Sequence, residues 1–323
     1  MSSLLKIDNM SVSFATPRGN LRAVNDVTIE LLKGESLGVV GESGSGKTVL
    51  SRATMGLLPG TATRTGTITY NGQVISDLPK DEVRELWGTG MAMIFQDPMT
   101  ALNPVRRIGA QLTESLTVRL GMDKKAAKQK AIELLMRVRI PDPESMLRKF
   151  PYQLSGGMRQ RIMIAIAVSC EPQLLFADEP TTALDVTIQQ QILALVMQER
   201  RKRNMSMLWI THDLGVVANL VDRVIVMYAG RIVEVGSVKD VFTNPQHPYT
   251  AGLLASLPKA SDKNRTRLVS IPGIPPKPWT VGQSCAFSPR CSRADEQCRT
   301  NLPVLATNTH TEAACFHLMG ENA

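Results

Sequence analysis

The sequence predicts an α/β fold organised on a parallel β-sheet, and three observations carry that prediction. An apolar run, Leu37 to Val40, leads directly into Gly41-Glu42-Ser43-Gly44-Ser45-Gly46-Lys47-Thr48 and then into a helix-compatible segment. Two further apolar runs, Leu174 to Ala177 and Met207 to Ile210, are each followed by a helical pattern, the alternation that a parallel sheet requires. Before and around the glycine-rich stretch, alternating apolar positions predict antiparallel strands, because a strand sends successive side chains to opposite faces.

Taken in order, residues 4 to 40 read as short strands, with alternation in Leu5-Lys6-Ile7 and Val27-Thr28-Ile29-Glu30-Leu31. Asn71-Gly72 is a two-residue hairpin signal between Thr67-Ile68-Thr69-Tyr70 and Gln73-Val74-Ile75, since both residues tolerate the positive φ such a turn needs. From about Val105 to Arg161 the character changes. Ile108, Leu112, Leu116 and Leu120 recur every four residues, and Ala131, Leu134, Leu135 and Val138 follow the same logic, so a helical insertion is expected over about 105–162. Val224 to Met227 and Ile232 to Val235, joined through Ala229-Gly230, predict another hairpin. Beyond Asn244 the chain turns Pro-rich, with Pro272, Pro275, Pro276 and Pro278 clustered, and ends in a cysteine-bearing tail. The division expected is a main domain over 1–243 and a small appended one over 244–323.

With 323 residues, 43% hydrophobic and 20% charged, the chain has material for about two globular domains. No run approaches the ~20 apolar residues of a bilayer span, and no basic-then-apolar leader opens it. A cytosolic chain that can attach to a membrane component is expected. The net charge of +8 invites a nucleic-acid reading, but the excess lies between Lys124 and Arg161 and in Arg200 to Arg203, along helical patterns without interleaved aromatics. Solvated helix faces and helix C-termini explain that distribution better, and a mild attraction to anionic headgroups is compatible with it.

The glycine-rich stretch is a phosphate-binding P-loop by its context. Glycines let successive N–H groups turn toward phosphate oxygens, and the helix N-terminus that follows adds positive potential. Lys47 can reach the β- and γ-phosphates, and Thr48 offers a hydroxyl to Mg²⁺. Leu174-Leu175-Phe176-Ala177-Asp178-Glu179 is an apolar strand ending in two carboxylates. Alone these are an ordinary solvated pair. Beside a P-loop, Asp178 can hold Mg²⁺ and Glu179 can polarise an attacking water.

Leu154-Ser155-Gly156-Gly157-Met158, followed by Arg159-Gln160-Arg161 and an apolar helical run, decides the reading. Here the sequence resembles the ATP-binding-cassette (ABC) ATPases. Gln96, after the strand Met91 to Phe95, matches that family's Q-loop. Ala183-Leu184-Asp185 matches the D-loop, and His212 after Leu208-Trp209-Ile210-Thr211 matches the switch histidine. Met158 departs from the commonest signature, which has Gln there, at a position with little direct phosphate contact. The fold implied is an α/β P-loop NTPase core of the ABC type with an antiparallel β subdomain, a helical insertion and a C-terminal cysteine-bearing extension.

The resemblance implies ATP and Mg²⁺ as ligands. Gly41, Ser43, Gly44, Ser45, Gly46, Lys47, Thr48 and Val49 would contact nucleotide, with Gln96, Thr48 and Asp178 at Mg²⁺. Glu179, His212 and Lys47 would be catalytic. It also implies a head-to-tail dimer in which Ser155, Gly156 and Gly157 close over ATP on a partner's P-loop and Asp185 contacts across the interface. Phe14 is a candidate to stack on adenine, with a core role as the alternative.

Four of the five cysteines, Cys285, Cys291, Cys298 and Cys315, sit close together, while Cys170 ends an apolar helical run as a buried thiol. In a cytosolic chain such a cluster favours metal over disulfides. Gaps of five, six and sixteen residues lack the C-x₂₋₄-C knuckles usual for structural zinc, and four thiolates without a conveniently spaced histidine suit a [4Fe–4S] cluster without proving one. Asn244-Pro245-Gln246-His247-Pro248-Tyr249-Thr250, Ile271-Pro272-Gly273 and Cys285-Ala286-Phe287-Ser288-Pro289-Arg290-Cys291 are similar to the C-terminal extension of the ATPase subunits of bacterial dipeptide and oligopeptide importers. That resemblance implies the four cysteines as iron–sulfur ligands. It also implies a second, similar ATPase, two permease subunits and an extracytoplasmic peptide-binding protein as partners, no nucleic acid, and a peripheral position on the cytoplasmic face of the inner membrane. The loop Asp97 to Pro104 is the expected permease contact. A weakly hydrolysing regulatory subunit is the alternative, opposed by Glu179. An ABC-type ATPase of DNA repair is another, opposed by the mere hundred or so residues between P-loop and signature.

Overall fold

The computed structural model describes residues 2–17, 19–180, 186–257, 270–276, 282–307 and 311–319. The chain divides into two compact units, Met1–Asp77 with Trp209–Ala323, and Leu78–Leu208.

The first unit opens with strands β1 (Ser3–Thr16) and β2 (Gly19–Leu32), followed by β3 (Ser36–Val40), helix α1 (Lys47–Thr54), and the hairpin β4 (Ala62–Tyr70) and β5 (Gln73–Val74). Strands β2, β1, β4 and β5 form an antiparallel sheet in that order. Where short strands are expected from the sequence, β1 and β2 are each 14 residues long. The reason is a set of register shifts, with Asn9 at φ 49° and Asp26 at φ 57°. These interrupt the alternation in sequence without ending the ladder, so Leu5, Ile7, Met10 and Val12 still bury beside Val24, Val27, Ile29 and Leu31. The Asn71-Gly72 hairpin forms as expected, at φ 48° and 84°.

The second unit runs through α2 (Lys80–Glu85), β6 (Met91–Ile94), α3 (Pro98–Ala101), α4 (Ile108–Leu120), α5 (Lys124–Arg137), α6 (Pro143–Met146), α7 (Gly156–Val168), β7 (Leu174–Asp178) and α8 (Val186–Arg203). Strand β8 (Ser206–Thr211) carries the chain back into the first unit. β6 and β7 are parallel, with Ile94 opposite Ala177. One apolar cluster joins Ile108, Leu112 and Leu116 of α4 to Ala131, Leu134 and Leu135 of α5, Val138, and Ile162 of α7. Leu120, last in the α4 stripe, stays 41% exposed. Cys170 is a buried free thiol, as expected. Several basic residues of this unit are paired locally. Arg203 pairs with Glu199 at 3.1 Å and also with Glu171, and Arg106 pairs with Glu114 at 2.6 Å.

The rest of the first unit comprises α9 (Leu214–Val217), β9 (Arg223–Tyr228), β10 (Arg231–Ser237), α10 (Val238–Thr243), α11 (Pro248–Ala255), a 3-10 turn at Ser288–Arg290, α12 (Glu296–Thr300), β11 (Ala306–Thr307) and β12 (Glu312–Ala313). Within this unit the strands run β11-β12-β10-β9-β3, β3 and β9 parallel and the rest antiparallel. Ala229 and Gly230, at φ 48° and 83°, close the β9–β10 hairpin that the sequence predicts. The segment after Asn244 is tied to β10 at Glu234. This fully buried carboxylate accepts the backbone N–H of Gln246 at 2.7 Å and of His247 at 2.9 Å, and Ala313 of β12 lies opposite it. Among the described residues, no helix is long and apolar enough to cross a membrane.

Candidate functional site

The glycine-rich loop turns off the buried strand β3 and feeds α1, and two of its glycines are required. Gly41 sits at φ 151°, where a Cβ would lie 2.2 Å from the Met227 carbonyl oxygen. Gly46, at φ 103° and capping α1, would place a Cβ 2.3 Å from the Ala23 carbonyl oxygen. The loop is thus pressed onto β2 and the end of β9, and Gly230 N–H holds the Ser45 carbonyl at 3.0 Å. Lys47 is buried, and its Nζ donates to the carbonyls of Gly41 at 2.8 Å and Glu42 at 2.9 Å. Ser43 and Gly44 face solvent at the loop's apex, while Thr48 and Val49 are half-buried in the first turn of α1. Such a loop can cradle phosphate with N–H groups, helped by the positive end of the helix.

Phe14, on β1 opposite Leu21 and Ala62, is half-buried and stands outside the apolar core. His212 follows β8 and is exposed. Its neighbour Asp213 caps α9, accepting from Gly215 N–H at 2.9 Å, which fixes the backbone carrying the imidazole.

In the second unit, the parallel pairing of β6 and β7 brings their C-terminal ends side by side. Asp178, the last residue of β7, is fully buried, and Glu179 follows in the left-handed region at φ 45°. A non-glycine residue is held there only when its surroundings demand it, and such positions cluster at functional sites. Gln96 lies two residues beyond β6, which ends at Ile94, and donates from Nε2 to Glu179 Oε2 at 3.2 Å. Ser155 caps α7, its Oγ accepting from Met158 N–H at 3.4 Å. Gly156 opens that helix in an exposed position where a Cβ would meet nothing within 4 Å. The first turn of α7 can therefore receive an anion from outside the unit. Met158 packs against the helical cluster, which accounts for an apolar residue there. Asp185, with Ala183 and Leu184, lies outside the described residues.

Cys285, Cys291, Cys298 and Cys315 line one small pocket with His247, Phe287, Phe316 and His317. Cys291 Sγ accepts from Arg293 N–H at 3.4 Å, and Cys315 Sγ from His317 N–H at 3.3 Å. Burial pushes the Cys315 thiol up to about 11, with added repulsion from Cys285, Cys291 and Cys298, and burial likewise raises Cys285 and Cys298. Four thiols lining one pocket are a donor set that a bound cation would favour as thiolates. His317 is the residue that the sequence reading misses. It stands two positions after Cys315, and with Asp295 and Cys298 it brings donor atoms within 4.8 Å of one another.

The order of these features along the chain, with the loop on β3, Gln96 after β6, the capped α7 and the carboxylates ending β7, defines an ATP-binding cassette. Residues 24–182 match the family model described as ABC transporter, and residues 233–298 match the oligopeptide/dipeptide transporter C-terminal region. The oligopeptide transport ATP-binding protein OppD of Salmonella typhimurium is 46% identical over 313 residues, covering 97% of this chain and 93% of its own length. The dipeptide transport ATP-binding protein DppD of Bacillus subtilis is 47% identical over 315 residues, covering 96% and 94%. Among solved structures, the dimeric cassette MJ0796 bound to ADP and phosphate superposes with a TM-score of 0.67 at 24% identity, covering 73% of this chain and 99% of its own. CbiO1 of Clostridium perfringens gives 0.62 at 25% identity, covering 75% and 91%. The chain belongs to the oligopeptide and dipeptide transport ATP-binding proteins of the ABC transporter family.

Proposed function

We propose that this chain hydrolyses ATP to energise the import of dipeptides or oligopeptides, as a peripheral subunit on the cytoplasmic face of a bacterial inner membrane. It would work beside a second, similar ATPase, two permease subunits and an extracytoplasmic peptide-binding protein. The observation that carries the reading is the Gln96–Glu179 contact at the paired ends of β6 and β7, in a chain that also resembles the peptide-transport ATPases over its C-terminal region.

In this reading Gly41, Ser43, Gly44, Ser45 and Gly46 wrap the phosphates with backbone N–H groups, and Val49 lies in the same first helical turn. Lys47 exchanges its bonds to the Gly41 and Glu42 carbonyls for the β- and γ-phosphates. Thr48, Asp178 and Gln96 supply the hard oxygen donors that suit Mg²⁺, which when bound neutralises charge on the phosphates. Glu179 takes a proton from the attacking water, His212 donates to the γ-phosphate, and Phe14 stacks on adenine. Ser155, Gly156 and Gly157 close over the nucleotide of the partner subunit in a head-to-tail dimer, with Asp185 at that interface. The permease contact is the loop over residues 97–104, where Met99 and the adjoining Val105 leave apolar side chains in solvent.

For the C-terminal pocket we propose a [4Fe–4S] cluster on Cys285, Cys291, Cys298 and Cys315 with a structural role. Four thiols around one pocket, Cys291 and Cys315 among those that accept N–H bonds, suit such a group. A specific observation favours a second reading: Asp295, Cys298 and His317 converge closely enough for a single zinc ion.

Two measurements test the proposal. In cells whose only copy of this chain carries Lys47→Ala, uptake of labelled di- and oligopeptides is expected to disappear; unchanged uptake would overturn the import reading. For the pocket, anaerobically purified protein should carry about four irons with matching sulfide, lost in Cys291→Ser; stoichiometric zinc instead would select the second reading.

A further inference from the structure

One densely bonded residue of the phosphate loop has no role in the ATPase reading. Glu42, second in the loop, is engaged through all three of its polar groups. Its carbonyl accepts from Lys47 Nζ at 2.9 Å, its N–H donates to Tyr249 Oη at 2.8 Å, and its carboxylate takes a two-pronged bond from Arg290. The prongs are 2.7 Å from one terminal guanidinium nitrogen to Oε2 and 3.0 Å from the other to Oε1.

Arg290 comes from the cysteine-bearing segment. It ends the 3-10 turn Ser288–Arg290, immediately before Cys291, and its side chain is only 4% exposed. Nε donates to the Pro272 carbonyl at 2.9 Å, and a terminal nitrogen reaches Tyr228 Oη at 3.3 Å. Gly273, at φ 77°, lies against the stem, where a Cβ would stand 3.2 Å from Arg290 Cγ. The guanidinium rests over the rings of Tyr228 and Phe287, 5.9 Å from each centroid. Tyr228, Tyr249 and Phe287 form a ring cluster with centroids 4.6 to 5.4 Å apart. Tyr249, through the Glu42 N–H, and Arg290, through the Glu42 carboxylate, thus meet at one loop residue, while Pro272 and Gly273 hold the Arg290 side chain.

Fastening the C-terminal segment to the core would need only some point on the core's surface. This bond lands on the phosphate loop itself, at the residue whose carbonyl holds Lys47. A half-buried, bidentate, charge-assisted pair fixes orientation as well as distance, and a loop held in its binding shape spends less free energy ordering itself around a ligand.

We propose that Arg290 is a positioning residue for the phosphate loop, so that the cysteine-bearing segment sets the nucleotide affinity of its own chain through Glu42. The proposal rests on the reading of this loop as an ATP site. A change at the neighbouring Cys291 would then reach that site by displacing the turn that carries Arg290.

The test is an equilibrium titration of MgATP onto the purified full chain, wild type and the variants Arg290→Met, Glu42→Gln and both together, with thermal unfolding recorded in parallel. Each single change is expected to weaken MgATP about tenfold, and the double variant to remain near that value rather than reach about a hundredfold. Cys291→Ser should weaken binding in the wild-type background but not in Glu42→Gln. Unchanged affinity in a folded Arg290→Met, or single effects that simply multiply, would overturn the proposal. Should Arg290→Met not fold, Arg290→Lys keeps the charge and loses the fork, and wild-type affinity there would equally overturn it. Wild type that binds no MgATP would instead overturn the ATP reading itself, and this inference with it.

Discussion

Gln96 donates a hydrogen bond to Glu179 at 3.2 Å, bridging the ends of two adjacent parallel strands. An amide aimed at a carboxylate on a strained backbone position holds that carboxylate in one orientation. If Glu179 is the base, Gln96→Ala should lower the hydrolysis rate about tenfold even at saturating MgATP, beyond any loss of affinity from the missing Mg²⁺ donor. Phosphate release and a nucleotide titration on the same preparation check both halves.

Ser155 and the exposed first turn of α7 are proposed to serve a neighbour's nucleotide. Ser155→Arg should therefore leave MgATP binding by the isolated chain at its wild-type level and abolish hydrolysis in the assembled complex. Loss of the cap costs about 1 kcal/mol, visible as a small fall in unfolding midpoint.

Leu116 and Leu120 belong to one four-residue stripe, yet Leu116 is fully buried and Leu120 is 41% exposed at the end of α4. Leu116→Ala should destabilise the protein by about 2–5 kcal/mol, cavity included, and Leu120→Ala by about 1 kcal/mol or less. Urea unfolding followed by circular dichroism separates the two.

His247 is buried, its ring pushed down to about 3 by burial, and its Nδ1 accepts the Tyr249 N–H at 3.0 Å. An unfolded-state histidine titrates near ~6.5, so between that pH and about 3 the unfolded chain binds the extra proton. The stability held by neutral His247 is complete above pH ~6.5 and is lost on acidification, with a slope approaching ~1.4 kcal/mol per pH unit. His247→Asn keeps an acceptor for the helix cap without the titration. Its midpoint should fall less steeply between pH ~6.5 and ~4.5 than that of wild type, as thermal scans at several pH values would reveal.

Much of this was legible in the sequence because it depends on local rules. Asn71-Gly72 and Ala229-Gly230 announce hairpins through their tolerance of positive φ, and both form. The apolar stripes of α4 and α5 follow helical spacing and meet in one cluster. The lengths of β1 and β2 were not legible, since the shifts near Asn9 and Asp26 break the alternation that marks a strand. Nor was the Arg290–Glu42 bond, which spans 248 positions and has no local signature. His317 escaped because its partners Asp295 and Cys298 lie well before it in the chain, and only folding makes their spacing short.

The most direct test of the central claim is phosphate release from MgATP by the complex purified through this chain, compared between wild type and Glu179→Gln. The account predicts steady turnover by wild type. It predicts a loss of at least about a hundredfold in the variant, with ATP retained in a dimer on gel filtration. Turnover by Glu179→Gln at the wild-type rate would contradict the account.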